Sequence, residues 1–235
     1  MEYREFAPPE ALRPIVKAGW TLDVPGGENE RFRHLATPDG CVELIHRLSG
    51  RSWWGEEQPA CFAAGLITEP VELSLGGGSR FVALRFWPWA WNSLGHLPVP
   101  GFIGGWRPFG GRKAPRTPDQ AFAELPADLL DPSTKALAEA ILASRSAAEL
   151  GARSGRPARW LQRWFEREIG LPPRTYLRLL RFQESFRGLP SAQGTLADHA
   201  AAHGYADQAH MAREYREMTG RSASAARGRA KPPFL

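Results

Sequence analysis

Cysteine is scarce: the 235-residue chain has 2, Cys41 and Cys61. Two thiols so far apart are too few for a zinc site or a disulfide framework, and they suit a reducing compartment as buried free thiols. No apolar run reaches the roughly 20 residues that a membrane-spanning helix needs. Residues 1–20 lack a basic start and an apolar stretch, so no secretory leader is expected and the cytoplasm is the expected location. There is no His-x-His pair, no nucleophile–base pair and no phosphate-binding loop, so neither an enzyme nor a cofactor is expected. His34, Glu43 and His46 are the residues to weigh for a metal. On one strand, however, Glu43 and His46 fall on opposite faces, and no metal site is expected.

Charge is present but unevenly placed. Residues 1–143 hold 14 Lys+Arg against 17 Asp+Glu, a net of −3, whereas residues 144–235 hold 16 against 8, a net of +8. All but one of those 16 bases are Arg. An Arg-rich half joined to a mildly acidic one suggests one module for a polyanion and another for a different task.

Along the chain, residues 9–18 put Leu12, Ile15 and Val16 on one side of a short expected helix, with Pro14 against it. Trp20–Val24 reads as a strand and 25–30 as a turn. Short strand-like runs follow at 31–36, 41–48, 60–65, 71–75 and 80–86, separated by Gly- and Pro-rich turns such as TPDG at 37–40. In the second run Val42, Leu44, His46 and Leu48 share one face. Such spacing suggests an antiparallel sheet or small barrel. A short helix packed on that sheet is expected over 87–95 and a loop over 98–118. Helical pieces resume near 119–130. Asp-Pro-Ser at 131–133 announces a capped helix start, so a domain boundary is expected there. The fold class is α+β with two domains: 1–132, β-rich with short helices, and 133–235, all-α.

The helical half repeats at an offset of 50 residues. Leu161 aligns with Met211, Arg163 with Arg213, Phe165 with Tyr215 and Gly170 with Gly220. Ser146 with Glu149 reads as a capping box, and Thr195 with Asp198 as a weaker one. Helices are predicted over 134–144, 147–153, 157–168, 174–187, 196–203, 207–218 and 222–228. Two helix-turn-helix units thus flank a linking helix of about 14 residues, roughly 21 Å long. That length is compatible with recognition helices one duplex turn apart.

The stretches WLQRWFEREIGLPPRTYLRLLRF (160–182) and GYADQAHMAREYREMTG (204–220) resemble the DNA-binding domain of AraC/XylS-type transcription regulators. Gly170, Pro173, Arg181, Gly204, Tyr205, Asp207 and Gln208 fit that pattern in order. Three positions depart from it: Pro157 stands where a capping Ser is usual, Ala209 replaces a common Ser, and Ala223 replaces a usual Pro. The zinc-binding cysteine cluster of DNA-repair relatives is absent.

The resemblance implies that Arg159, Gln162 and Arg163 from the first copy face a major groove, with Gln208, Ala209, His210 and Arg213 from the second. Arg bonds bidentately to guanine, Gln to adenine, and Ala touches a thymine methyl. The plainer alternative for Arg163 and Arg213 is a solvated surface or an ion pair with Glu166 or Glu217. The first copy, richer in Arg, is expected to be the stronger reader.

The amino-terminal half more loosely resembles the sensor-like β domains of one regulator subgroup, through TPDGCVELIHRL and RFWPWAWNSLG. Trp20, Trp53, Trp54, Trp87, Trp89 and Trp91 could line an effector pocket or simply fill the core. The implied partners are double-stranded DNA, a small-molecule effector, a second copy of the chain and RNA polymerase, without a membrane. Two other readings stay open: a β-domain enzyme with a DNA-targeting module, and a nonspecific architectural DNA binder.

Overall fold

The computed structural model describes residues 1–94, 98–110 and 114–227. Gly95, residues 111–113 of the expected loop and the end of the helix expected over 222–228 lie outside the described residues. The strands are β1 (Glu2–Phe6), β2 (Val16–Asp23), β3 (Arg31–Ala36), β4 (Val42–Ser49), β5 (Ser52–Trp54), β6 (Glu56–Glu57), β7 (Cys61–Ala64), β8 (Val71–Gly76), β9 (Arg80–Phe86) and β10 (Trp106–Pro108). They form two antiparallel sheets, one in the order β1-β2-β9-β4-β7-β10 and the other β3-β8-β5-β6.

Strand alternation decides which face each residue serves. Val42 and Leu44 of β4, with Leu84 and Phe86 of β9, join the apolar core that continues into the helices. Ile45, Phe81 and Ala83 point the other way, into a second core that contains Leu75 from the smaller sheet. The six-stranded sheet is therefore covered on both faces.

Residues 9–18 do not form the expected helix. A single 3-10 turn spans Glu10–Leu12, and β2 begins at Val16, which pairs with Phe86. Pro14 supplies no backbone N–H, and β-branched Ile15 and Val16 suit an extended chain with a strand waiting beside it. Strands β1, β5, β6 and β10 were not legible either. Strand β1 is polar and alternates little, β5 and β6 are three and two residues long, and β10 ends on Pro108 at a sheet edge.

The helices are α1 (Pro88–Ser93), α2 (Pro118–Ala123), α3 (Pro132–Leu142), α4 (Ala147–Ser154), α5 (Ala158–Glu168), α6 (Pro173–Gly188), α7 (Leu196–Ala202), α8 (Gln208–Thr219) and α9 (Ala223–Arg227). Side-chain caps set several starts: Asp131 for α3, Ser146 for α4, Thr195 for α7 and Asp207 for α8. The two expected capping boxes differ from their sequence ranking. Thr195 and Asp198 form the complete reciprocal box. Ser146 caps the Glu149 N–H, but the Glu149 carboxylate accepts from the N–H of Arg145 rather than that of Ser146.

Helix α6, at 16 residues, is the hub between the halves. Tyr176 donates its hydroxyl to the Gly40 carbonyl at 2.8 Å, and Gln183 donates its amide to the Pro38 carbonyl. Arg187 meets Glu5 of β1 at 2.6 Å. Asn92, at the end of α1, donates to the Glu168 carbonyl at 2.7 Å. The main apolar core runs without a break from Val16 and Val42 through Trp89 and Trp91 to Phe165, Tyr176 and Tyr215.

Candidate nucleic-acid interface and effector cavity

On α5, Leu161, Trp164 and Phe165 are buried, at the helical spacing that directs one stripe to the core. The opposite side carries exposed Arg159 and Arg163 and half-buried Gln162, whose amide donates to Glu166 at 2.7 Å. On α8 the buried stripe is Met211, Glu214, Tyr215, Met218 and Thr219. Gln208, Ala209, Ala212, Arg213 and Arg216 line one shallow surface depression. His210 is set apart from that row. Its ring packs edge-on against Tyr205 with centroids 5.4 Å apart, and its Nδ1 accepts from the Ala206 N–H at 3.4 Å.

Arg163 and Arg213 occupy equivalent exposed positions, and neither enters an ion pair among the described residues. Glu217, the carboxylate one turn from Arg213, is taken by Arg178 of α6 instead. Sequence reasoning missed Arg216. The helical spacing from Ala209 through Ala212 and Arg213 was the signal that could have found it.

The buried Glu214 is the second missed feature. Its Oε2 accepts from Arg178 at 2.9 Å and Arg181 at 2.7 Å, and its Oε1 accepts from Tyr205 at 2.8 Å. The Arg181 guanidinium also lies 4.7 Å over the Tyr205 ring. This hub ties α8 to the linking helix. Arg181 and Tyr205, two positions of the AraC/XylS-like pattern, meet on one carboxylate.

Between the two sheets lies a cavity of about 70 Å³. Trp20 and Trp54 line it, together with Phe62, Phe81, Ile45 and Leu75. The other tryptophans weighed for a pocket lie elsewhere. Trp53 sits under the guanidinium of Arg31, 3.9 Å from its ring. Trp87 and Trp89 stack on each other at 5.4 Å and donate their indole N–H groups to the Arg13 and Pro14 carbonyls. Trp91 is fully buried against Phe86.

One end of the cavity is polar. Asp39 and Glu43 line it and both approach Nε of Arg85 at 2.7 Å, a guanidinium that is itself fully buried. Glu5 contacts the same group at 3.1 Å. Burial pushes the Glu43 carboxyl above the usual carboxylate range, against the pull of Arg85. His34 also lines the cavity, and burial lowers it to about 4, so its imidazole is neutral near pH 7. His46 is on the other face of β4, its Nε2 3.9 Å from the Cys61 Sγ. The three residues weighed for a metal are thus not one set. Burial raises the thiols of both Cys41 and Cys61, the latter to about 11. Segment 37–41 does double duty: Thr37, Asp39 and Cys41 line the cavity, while the Pro38 and Gly40 carbonyls hold α6.

The fold therefore defines a class: a two-sheet β half joined to a helical half with two helix-turn-helix units on a shared linking helix. Residues 150–229 match the family model of a helix-turn-helix domain, and residues 4–104 match a domain family of unknown function. The helical half thus contains a helix-turn-helix domain.

Among solved structures, the chain is similar to a probable AraC family transcriptional regulator from Rhodopseudomonas palustris. That match has 26% identity over 43% of this chain and 100% of the other, with a TM-score of 0.37. It is also similar to ToxT from Vibrio cholerae, at 9% identity over 96% of this chain and 98% of the other, with a TM-score of 0.47. A ToxT structure with bound unsaturated fatty acid matches at 10% identity over 87% and 92%, with a TM-score of 0.45. No curated protein matches the chain. No helix among the described residues is long and apolar enough to cross a membrane.

Proposed function

We propose that this chain is a sequence-specific DNA-binding transcription regulator whose affinity for its operator is set by a small molecule in the amino-terminal cavity. One observation carries the DNA-binding part. Equivalent helices, 50 residues apart in an Arg-rich half, expose Arg163 and Arg213 at the same position, with the buried stripes facing inward. Arg159 and Gln162 extend the first face; Gln208, Ala209 and Arg216 extend the second. His210, turned toward Tyr205, serves the helix start and contacts phosphate rather than a base edge. The first copy is the stronger reader through Arg159 and Arg163, although Arg216 narrows the difference.

The amino-terminal half, 1–132, is the sensing part and 133–235 the DNA-binding part. Segment 37–41 is the physical route between them, because it both walls the cavity and holds α6. A ligand that favours one arrangement of that segment changes DNA affinity by its preference for that arrangement. Dimerisation through the amino-terminal half, contact with RNA polymerase and a cytoplasmic location belong to the same reading, and none of it requires enzymatic chemistry.

The test is selection of genomic fragments by the purified protein, followed by fluorescence anisotropy on the best fragment. Specific binding should fall steeply with salt. Arg163→Ala and Arg213→Ala should each weaken it about 10- to 100-fold. Equal affinity for random DNA, or full binding by both variants, would sink the reading.

A further inference from the structure

The polar end of the cavity carries more acid than base. Asp39 and Glu43 share the single guanidinium of Arg85, while the third acid, Glu5, has its own partner in Arg187 at 2.6 Å. Lys17 lines an outer groove, 5.5 Å from the Trp87 ring, and donates to the Asp39 carbonyl at 3.0 Å rather than to a carboxylate of the cavity. Among the described residues that line the cavity there is no Lys or Arg. An anionic ligand would thus meet two carboxylates and no free cation.

Glu43 spends one oxygen on both of its donors. Its Oε1 accepts from the Trp20 indole at 2.9 Å and from Arg85 at 2.7 Å, and its Oε2 accepts no hydrogen bond among the described residues. Ser52 also lines the cavity. It is 1% exposed, and its hydroxyl has no hydrogen-bond partner among the described residues. A buried hydroxyl in that condition costs free energy that a bound polar group would recover. The remaining walls are aromatic and aliphatic, and aromatic faces attract cations. A space of about 70 Å³ equals roughly five water-sized sites, which restricts the occupant to a few heavy atoms.

We propose that this cavity binds a small primary amine as its cation, the ammonium on Glu43 and the apolar body against Trp20, Trp54, Phe62 and Phe81. The proposal rests on reading the cavity as the effector site and adds the chemical class of the effector. The ammonium supplies the charge that one of the two acids lacks. Burial raises the Glu43 carboxyl and Arg85 opposes that rise; an ammonium beside Oε2 would add to the pull of Arg85. The charged and titratable groups facing Glu43 are Arg85 of β9, Asp39 and Cys41 of the 37–41 segment, and Tyr3 and Glu5 of β1. His34 of β3 shares the cavity and stays neutral near pH 7.

Calorimetric titration of the full chain, without DNA, tests this with 3-methylbutylamine, 3-methylbutanol and 3-methylbutanoate. The amine should bind at least about tenfold more tightly than the alcohol, a gap of roughly 1.4 kcal/mol, and the carboxylate should give no heat. Glu43→Gln should bring the amine to the level of the alcohol. Should that variant fold poorly, the unaltered protein still decides the matter through the order in which it binds the three ligands. Binding of the carboxylate as tightly as the amine, equal amine and alcohol affinities, or no heat with any of the three would each overturn the proposal. Operator binding is read separately. Amine binding that leaves operator affinity unchanged would keep the amine site and remove its regulatory role.

Discussion

The two helix-turn-helix copies share a backbone plan and a core and differ at one equivalent buried position. In the first copy, position 164 is a tryptophan that packs on Phe165 with centroids 5.5 Å apart, inside a core continuous with the β half. At the equivalent position of the second copy stands Glu214, equally buried but bound to Arg178, Arg181 and Tyr205. The first copy is also docked onto the β half, through Asn92 on Glu168 and through Gly170 against Pro100 and Ile103. The second has its Met211, Tyr215 and Met218 in the same core and is tied to the linking helix by its polar hub as well. Both copies bury an apolar stripe; at this one position the first adds non-directional apolar burial and the second directional charge-assisted bonds. A disturbance in the β half therefore reaches α5 directly, and α6 offers it a route to α8.

The largest expected effects test that contrast. Glu214→Ala leaves Arg181 without its carboxylate and Arg178 with Glu217 alone, and should cost about 3–5 kcal/mol. Trp164→Ala should cost a similar amount, about 3–5 kcal/mol, by opening a cavity. The two should differ in kind. Denaturant unfolding followed by amide exchange should show Glu214→Ala loosening α8 first, and Trp164→Ala loosening α5 together with α1. Identical exchange patterns would erase the distinction.

Next come the two closing glycines. Gly170 has φ +80 and an added Cβ would meet Ile103 Cδ1 at 2.4 Å and Pro100 Cα at 3.1 Å; Gly220 has φ +67 with nothing within 4 Å. Gly220→Ala should cost about 1–2 kcal/mol, the left-handed penalty alone, and Gly170→Ala clearly more. Thermal melts of both variants check it; equal losses would mean that the docking of the first copy contributes nothing.

Arg163→Ala and Arg213→Ala should change operator affinity by about 1–3 kcal/mol each while leaving the melting temperature in place. A larger loss at Arg213 would reverse the proposed ranking of the copies. The smallest effects sit at the helix starts. Asp207 accepts the His210 N–H at 2.6 Å, whereas Pro157 offers no side-chain acceptor. Asp207→Ala should cost about 1 kcal/mol, and Pro157→Asp should gain no more than about that. Paired urea titrations of these two variants read the difference.

Much of the helical half was legible in the residues because its signals are local. Asp207, Thr195 and Ser146 are caps, Gly170 and Gly220 are stops, and the 50-residue repeat lines up Leu161 with Met211. Such features act within a turn or two of helix. The strands at 31–36, 41–48 and 80–86 were legible for the same reason, through alternation. Strands β1 and β10 were not, because each exists only by pairing with a distant strand. The expected helix over 9–18 gave way to β2 because Val16 found Phe86 70 residues along the chain.

The functional positions divide the same way. Arg163 and Arg213 could be named from spacing alone. His210 could not be separated from its neighbours until Tyr205 was seen beside it. Of six candidate tryptophans, only Trp20 and Trp54 line the cavity, since indoles in a core and indoles in a pocket look alike in a sequence.

The amino-acid order by itself determined the helix starts and stops, the repeat, the Arg-rich face and the alternation of the longer strands. These depend on neighbours within a few residues. Only the tertiary structure decided that Glu214 is a buried hub, that Asp39 and Glu43 converge on Arg85, and that segment 37–41 serves the cavity and α6 at once. In each of these, charges or carbonyls far apart in the chain become favourable only when folding brings them together away from water.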